Sequence, residues 1–360
     1  MIPVLYYPTQ PIAWNNMPTS HGVGMLSETT SCTVTEDSEG GYELDLEYPK
    51  EGYLSDFLAG DYLIAADYGK EGRQFFRIYR VDGSSAGNLR VYAQHVSYQL
   101  DYIFFNPFKP TTVFDPSLII ALMEENKVRP HPFRIFPEYS VSKAQIWQWN
   151  IDHPASYREG ISKMQEIFGL QVRWDNFDVY LTNQRGRDNG VQIRYGRNLL
   201  DCRRTQDISK VITGGYAYVV KDGICTKGPV VTLENNPWAF DRIVAVDFSD
   251  QFDEIPDMGV MKDCSNTILR TRTSVMPETS ISLDILMLKS DPLYQGVPLE
   301  EIGLHDTIGI IDPTQRINEK AVVNRIVYDV LQDRLLQADV GVKKRNIADT
   351  ISELTRGAKG

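Results

Sequence analysis

Apolar and polar residues alternate strictly from Tyr42 to Tyr48, with Tyr42, Leu44, Leu46 and Tyr48 on one side and Glu43, Asp45 and Glu47 on the other. A period of two places the first set on one face of an extended chain, so the stretch reads as a half-buried antiparallel strand. Similar runs follow at 62–66, 75–81 and 89–94, separated by the turn pairs Gly60-Asp61, Gly69-Lys70 and Asp82-Gly83. Short strands at this spacing predict a small barrel or sandwich.

The texture changes where Pro107, Pro110, Pro116, Pro130, Pro132 and Pro137 punctuate residues 107–137. Asp115-Pro116 predicts a helix start, cap followed by proline, with Leu118, Ile119 and Leu122 on the apolar face. Ser156-Tyr157-Arg158-Glu159 forms a capping box, and Ile161, Met164 and Phe168 recur at helical spacing before Gly169 ends the helix. Strands are expected at 170–174 and 179–182, so residues 113–185 read as an α+β insertion in a β-rich chain. Strands resume near Val191, and Asp222-Gly223 predicts a hairpin turn between 216–220 and 224–226. A helix is expected near 259–271. Ile281, Leu283 and Ile285 alternate after it, and Asn346 caps a closing helix bearing Ile347, Ile351 and Leu354.

Two regions share one pattern. Glu43-Leu44-Asp45-Leu46, then 61–67, then Phe76-Arg77-Ile78-Tyr79-Arg80 and Leu89-Arg90-Val91 have counterparts in Ser282-Leu283-Asp284-Ile285, 306–312, Asn324-Arg325-Ile326-Val327-Tyr328 and Leu335-Leu336-Gln337-Ala338. In this alignment Asp61 matches Asp306. The repeat predicts two similar small β-barrels in one chain. Three such chains around an axis would present six similar modules, so a trimer could seat on a sixfold ring.

Composition narrows the function classes. The 360 residues carry 37 Lys+Arg against 48 Asp+Glu, a net charge of −11. That balance argues against a phosphate backbone or an anionic membrane surface as the main partner. No run approaches the roughly 20 apolar residues of a membrane span, so no membrane anchor is expected. The first Lys is Lys50, so the N-terminus lacks the basic region of a secretory signal, and folding in the cytosol of whatever cell makes the chain is expected. Cys32, Cys202, Cys225 and Cys264 lie far apart without a C-x-x-C, and read as inert thiols.

Candidate chemistry is sparse. Gly83-Ser84-Ser85-Ala86-Gly87 fits G-x-S-x-G, but strands are expected on both sides where a nucleophile elbow needs a following helix. His21, His95, His131, His153 and His305 form no H-E-x-x-H or other close pair. No phosphate-binding glycine loop appears. The acids of Asp247-Phe248-Ser249-Asp250 and Asp253-Glu254 read as a solvated loop, and Tyr98, Tyr102, Phe104, Phe105 and Phe108 as core or subunit interface. No catalytic, cofactor-binding or metal-binding residue is nominated, and no cofactor is expected.

Three motifs together resemble the N-terminal hub region of tail-tip proteins of long-tailed bacteriophages, a family also called prophage tail endopeptidase or tail-associated lysin. The first motif is 91–100, Val-Tyr-Ala-Gln-His-Val-Ser-Tyr-Gln-Leu, with Gln94 in place of the more usual acid. The second comprises the helix from Glu159 to Gly169, Trp174-Asp175-Asn176, Arg185-Gly186-Arg187-Asp188-Asn189-Gly190-Val191 and Ile193-Arg194-Tyr195-Gly196-Arg197-Asn198-Leu199. The third is Leu304-His305-Asp306-Thr307-Ile308-Gly309-Ile310-Ile311-Asp312 with Arg325-Ile326 downstream, where His305 stands at a position commonly glycine. The likeness runs from about residue 40 to residue 345.

The resemblance implies a mainly β fold with α+β insertions and a homotrimer forming a pseudo-sixfold ring, similar to the central hub of contractile-tail baseplates. The first barrel is expected over 1–112, completed by about 186–205, with the insertion at 113–185. The second is expected over 206–250 and 278–345, with a helical insertion at 251–277 and a terminal helix at 346–360. The implied role is a structural tail hub at the virion tail tip, not an enzyme. It would close the tail tube beneath a hexameric distal tail protein and form the channel for tape measure protein and DNA, which passes without specific binding. It would also carry or dock receptor-binding or wall-degrading modules. The acidic excess would suit a channel wall that repels DNA. The alternative is a peptidoglycan endopeptidase of the tail tip, for which no residues match a catalytic set.

Overall fold

The alternating stretch forms the strand Tyr42–Pro49. Its inward residues Tyr42, Leu44, Leu46 and Tyr48 are each at most 1% exposed, and such burial contributes about 1.5–3 kcal/mol per large side chain. The computed structural model describes residues 1–8, 22–83, 87–109, 116–138, 149, 151–209, 211–234, 236–249, 252, 254–272, 278–285 and 302–341. The chain is mainly β and divides into two units, Met1–Cys202 with Ser282–Val340, and Arg203–Ile281 with Gly341–Gly360.

In the first unit Tyr42–Pro49 pairs with Asn88–His95, which pairs with Arg73–Gly83, which pairs with Leu63–Asp67, all antiparallel. The spatial order is first, fourth, third, second. Glu278–Ile285, Thr307–Asp312, Ile317–Asp329 and Arg334–Gly341 repeat that order. Each set is flanked by one further strand on its first member: Ser31–Asp37 beside Tyr42–Pro49, and Leu199–Asp207 beside Glu278–Ile285. The repeat is therefore one of topology as well as of sequence.

Its register differs by one residue from the sequence alignment. Asp61 N donates to Ile78 O (2.9 Å) and Ile78 N to Tyr62 O (2.9 Å); His305 N donates to Val323 O (2.8 Å) and Val323 N to Asp306 O (2.9 Å). Asp61 is thus equivalent to His305, and both sit at positive φ, 71° and 67°. Glycine is the residue that adopts such a conformation most readily, and here Asp and His take it. Matching the acids by type hid the shift, because backbone conformation, not charge, is what the two turns share.

The two sets are joined rather than separately closed. Ile317–Asp329 pairs through 317–322 with Thr307–Asp312 and through 325–329 with Ser31–Asp37. The result is a thirteen-stranded sheet. No separately closed barrel is present among the described residues. Residues 186–205, expected to complete the first module, instead serve the second. Gln192–Arg194 pairs in parallel with Gly309, Ile310 and Ile311, and Leu199–Asp207 lies beside Glu278–Ile285. Alternation identifies a strand but carries no information about which neighbour it takes.

The α+β insertion is present. The helix Tyr157–Phe168 starts at Ser156, whose Oγ accepts from Glu159 N at 3.1 Å, and ends at Gly169 in the left-handed conformation. Glu159 turns its carboxylate to His153 at 3.3 Å. Tyr157, Ile161, Met164 and Ile167 are buried. A Cβ at Gly160 would lie 2.8 Å from Met123 and 2.9 Å from Phe105, so the residue lets the helix approach its neighbours closely. The helix Pro116–Glu125 also forms; its expected cap Asp115 lies outside the described residues. Gln171–Asp175 and Asp178–Thr182 form a hairpin, to which Arg134–Glu138 adds a parallel strand.

The second unit corrects the assignment of 206–250 to the second barrel. Gly214–Lys221 pairs with Ile224–Lys227, Val231–Thr232 and Ile243–Asp247 in a separate four-stranded sheet. The predicted turn is there, with Asp222 at φ 50° and Gly223 at φ 76°. The helix Met258–Arg272 packs Met261 and Ile268 against Ala217 and Val219. These residues share a core with one another, which an apolar pattern alone cannot assign to one sheet or another. The terminal helix expected at 346–360 lies outside the described residues.

Replacing Ser156 by Ala removes the side-chain acceptor for the Glu159 amide. The variant is expected to lose about 1 kcal/mol in urea denaturation, while Ser156→Asp stays near wild type. Equal stability of the Ala variant would contradict the cap.

Candidate functional site

The three motifs of the resemblance meet in the first unit. Motif two places Asn176 at the tip of the hairpin between Gln171–Asp175 and Asp178–Thr182, at φ 55°. There Asn176 Oδ1 accepts from Phe75 N at 2.9 Å, Asn176 N donates to Gln74 Oε1 at 3.0 Å, and Asn176 Nδ2 donates to Arg73 O at 3.0 Å. Gln74 is fully buried and also meets His95 of motif one, Nε2 to Oε1 at 3.1 Å. On its other edge His95 Nδ1 lies 2.9 Å from Ser97 Oγ and 3.3 Å from Ser97 N, which donates to it. With Nδ1 accepting, Nε2 carries the proton and the ring is neutral. It stacks on Tyr42, centroids 4.3 Å apart. Burial lowers the His95 pKa to about 3, with Arg158 adding to the effect.

Motif two continues into motif three. Arg185 grips Glu36 with both nitrogens, Nη1 to Oε1 at 2.6 Å and Nη2 to Oε2 at 3.1 Å, and Nη2 also donates to Glu71 Oε1 at 3.3 Å. The two side chains are 6% and 2% exposed. A bidentate pair of this kind is worth keeping only when both charges are satisfied. Burial pushes the Glu36 carboxyl up against the pull of Arg185. Beside it, a Cβ on Gly186 would sit 1.9 Å from His305 O, so only glycine lets the two backbones cross. Arg187 N donates to Asp306 Oδ1 at 2.9 Å, Gly303 N to Asp306 Oδ2 at 2.7 Å, and Lys70 Nζ reaches Asp306 Oδ2 at 3.1 Å. Thr307 N then donates to Arg187 O at 3.0 Å.

A cavity of about 530 Å³ opens over this node, lined among others by Lys70, Glu71, Arg173, Arg185, Arg187 and Asp306. Its charged groups are largely engaged with one another: Arg173 Nη1 stands 3.7 Å from Glu71 Oε2, and its guanidinium lies 4.0 Å over the Tyr180 ring. The arrangement clamps the insertion onto both repeats.

Other sequence candidates fall elsewhere. Gly83 ends the strand Arg73–Gly83 and Asn88 begins its antiparallel partner, so the G-x-S-x-G stretch joins two strands, as expected. Ser84, Ser85 and Ala86 lie outside the described residues, as does His21. His131 Nε2 lies 3.1 Å from Glu124, His153 is exposed beside Asp152 and Glu159, and burial lowers the His305 pKa to about 4 with a further push from Arg185. The four cysteines are free; Cys32 and Cys202 are buried and Cys225 is exposed. No group of metal-ligating side chains is present among the described residues, and none of their helices is long and apolar enough to cross a membrane. Asp247 Oδ1 accepts from Ser249 N at 2.8 Å, a local turn. The aromatic run divides: Phe105 is fully buried, while Tyr102 and Phe104 are 75% and 41% exposed. Sequence reasoning marked Asn176, Arg185, Gly186 and Asp306 only as parts of motifs. The signal for a buried clamp, an isolated Arg-Gly-Arg between strands, is visible but does not name its partners.

No protein-family model matches the chain, and no curated protein matches it. Solved structures do. The prophage tail protein gp18 from Listeria monocytogenes EGD-e superposes at a TM-score of 0.58 with 14% identity, covering 100% of each chain. The prophage MuSo2 43 kDa tail protein from Shewanella oneidensis gives 0.59 at 12% identity, covering 95% of this chain and 98% of its own. A tail protein from Neisseria meningitidis MC58 gives 0.56 at 10% identity over 89% and 94%. The chain has the fold of these phage tail proteins along its whole length.

Removing Arg185 by substitution with Met strands the buried Glu36 carboxylate, and is expected to cost about 3–5 kcal/mol in chemical denaturation. Adding Glu36→Leu to that variant should recover most of the loss. A single-variant cost below about 1 kcal/mol would show that the pair is not a clamp.

The histidines set a pH dependence. His95 and His305 hold their protons less tightly when folded than the ordinary value of 6.5. Their contribution is fully present above 6.5 and is lost as the pH falls toward about 4, where unfolding takes up protons. Glu36, held up, works in the opposite direction. Substituting His95 by Gln should therefore make the pH-dependence of stability between 6.5 and 4 shallower by one proton, about 1.4 kcal/mol per pH unit. Parallel curves for variant and wild type would contradict a buried neutral His95.

Proposed function

We propose that this chain is a structural hub of a phage tail, a homotrimer at the tail tip. Two like modules per chain give the trimer six rim positions, which sit on a hexameric distal tail protein. The trimer closes the tube and forms the passage for tape measure protein and DNA, with host-recognition or wall-degrading modules docked on it. The reading assigns the chain a structural role, not an enzymatic one. Its main support is the repeated strand order within a chain whose fold follows phage tail proteins from end to end. A threefold body meeting a sixfold tube needs such an internal duplication, and an isolated β protein does not. The buried clamp at Arg185 supports the same role, since it fixes the insertion against both repeats with charges engaged internally. The net charge of −11 suits a wall past which DNA slides.

Light scattering coupled to size exclusion should give three times the chain mass of 40.9 kDa, and antibodies to the chain should decorate virions at the tail tip. A chain that stays monomeric at all concentrations, or antibodies that label the capsid or the tube shaft, would overturn the reading.

A further inference from the structure

We infer that the cavity over the Arg185 node is a binding site for one free oxyanion of the phosphate class, held by Lys70, Arg173 and Arg187. Such a site lies within the first unit and does not depend on how copies assemble.

The charges around the cavity are ordered by exposure. Its two lining carboxylates are the sheltered groups, the side chains of Glu71 and Asp306 being 11% and 5% exposed. Three of its lining cations stand nearer the water, with Lys70 at 38%, Arg173 at 30% and Arg187 exposed. Arg185 belongs with the buried layer, where Glu36 and Glu71 answer its charge. Counting Glu36 and the Asp175 that stands beside Arg173, four cations face four carboxylates. Neither of those two acids lines the cavity, so the space itself is bordered by four cations and two carboxylates. A concave surface with one sign of charge outermost concentrates ions of the other sign. Among the described residues that line it, Leu304 is the one apolar side chain, which suits a charged guest rather than an apolar one. The basic border also runs against the composition of a chain that carries −11 overall.

The donors left over point to the same guest. An ammonium has three N–H donors and a guanidinium five. Lys70 gives one to Asp306 Oδ2 at 3.1 Å. Arg173 lies over the Tyr180 ring, and its Nη1 reaches Asp175 Oδ2 only at 3.4 Å and Glu71 Oε2 at 3.7 Å. Arg187 donates to Asp306 Oδ1 through its backbone, and its guanidinium has no hydrogen bond or ion pair among the described residues. These groups converge: Lys70 and Arg187 are both tied to Asp306, while Arg173 and Arg185 share Glu71, the residue next to Lys70. A planar carboxylate offers two oxygens and one charge. A phosphate group offers three or more acceptor oxygens and about 1.5 to 2 negative charges at neutral pH, which matches two guanidinium forks and an ammonium better. A volume of about 530 Å³ admits such an ion with part of its water.

The three cations come from three parts of the first unit. Lys70 sits in the turn Gly69–Glu71 between two strands of the first repeat, and Arg173 on the hairpin of the insertion. Arg187 belongs to the segment that crosses the second repeat at His305 and Asp306. Like charges brought together from separate parts of a fold oppose their own approach. An oxyanion among them removes that opposition and ties the three parts to one ion. It binds the folded chain and not the unfolded one, so occupancy stabilises the first unit.

Isothermal titration calorimetry of the full chain with inorganic phosphate, matched for ionic strength with chloride, should give one site per chain. Arg187→Gln keeps the backbone donation to Asp306 and removes only the guanidinium, and should weaken binding roughly tenfold or more. Arg197→Gln, at an exposed cation that does not line the cavity, should bind as the wild type does. Phosphate should also raise the thermal midpoint, and the rise should shrink in Arg187→Gln but not in Arg197→Gln, which separates occupancy from the general effect of salt on folding. No phosphate binding, or equal affinity in the wild type and Arg187→Gln, would overturn the site. Acetate competing as well as phosphate would overturn its assignment to the phosphate class. Trimers on light scattering that bind no phosphate would overturn the site and leave the hub reading standing. A chain that binds phosphate and stays monomeric would uphold the site and overturn the hub.

Discussion

The Arg185 guanidinium, buried and held by Glu36 and Glu71, is the constraint on which the first unit depends. Two charges removed from water are costly unless each finds its partner in good geometry. Here the geometry is enforced by backbone. Arg185 N donates to Gln171 Oε1 at 2.6 Å, Gly186 lets the chain cross His305 without a Cβ, and Arg187 takes both ends of the turn at Asp306. The strand that carries Glu36 belongs to the first repeat, the turn at Asp306 to the second, and Arg185 to the insertion between them. A single short segment therefore fixes three parts of the fold against one another. The Asn176 plug does the same for the hairpin tip, by taking the free backbone and amide groups around Gln74.

The duplication gives this clamp its meaning. Both repeats place the first strand beside the fourth and the third beside the second, and both enter the second strand through a residue at positive φ. They are joined by extending one strand of the second repeat onto the flank of the first. A chain built this way carries two like modules already joined through one strand.

Much of the fold was legible because strand and helix periodicities are local. Leu44 and Leu46 announced an inward face, Ser156 and Gly169 bracketed a helix, and Asp222-Gly223 marked a turn. What local pattern cannot carry is partnership. Residues 192–194 read correctly as a strand but joined the second repeat, and 214–247 read as strands but formed a sheet of their own. The repeat was visible in composition, yet its register was off by one residue. Acid was matched to acid, while the structure matches positive φ at Asp61 to positive φ at His305. The motif residues of the clamp stood out in sequence without revealing what they touched, since Glu36 is 149 positions from Arg185.

Electron cryomicroscopy of the assembled protein, at a resolution that separates strands, tests the central claim most directly. The account predicts a closed ring of three copies in which the two repeats of each chain take alternating, equivalent places on a sixfold rim. An assembly without threefold symmetry, or one whose two repeats per chain take inequivalent places, would contradict it.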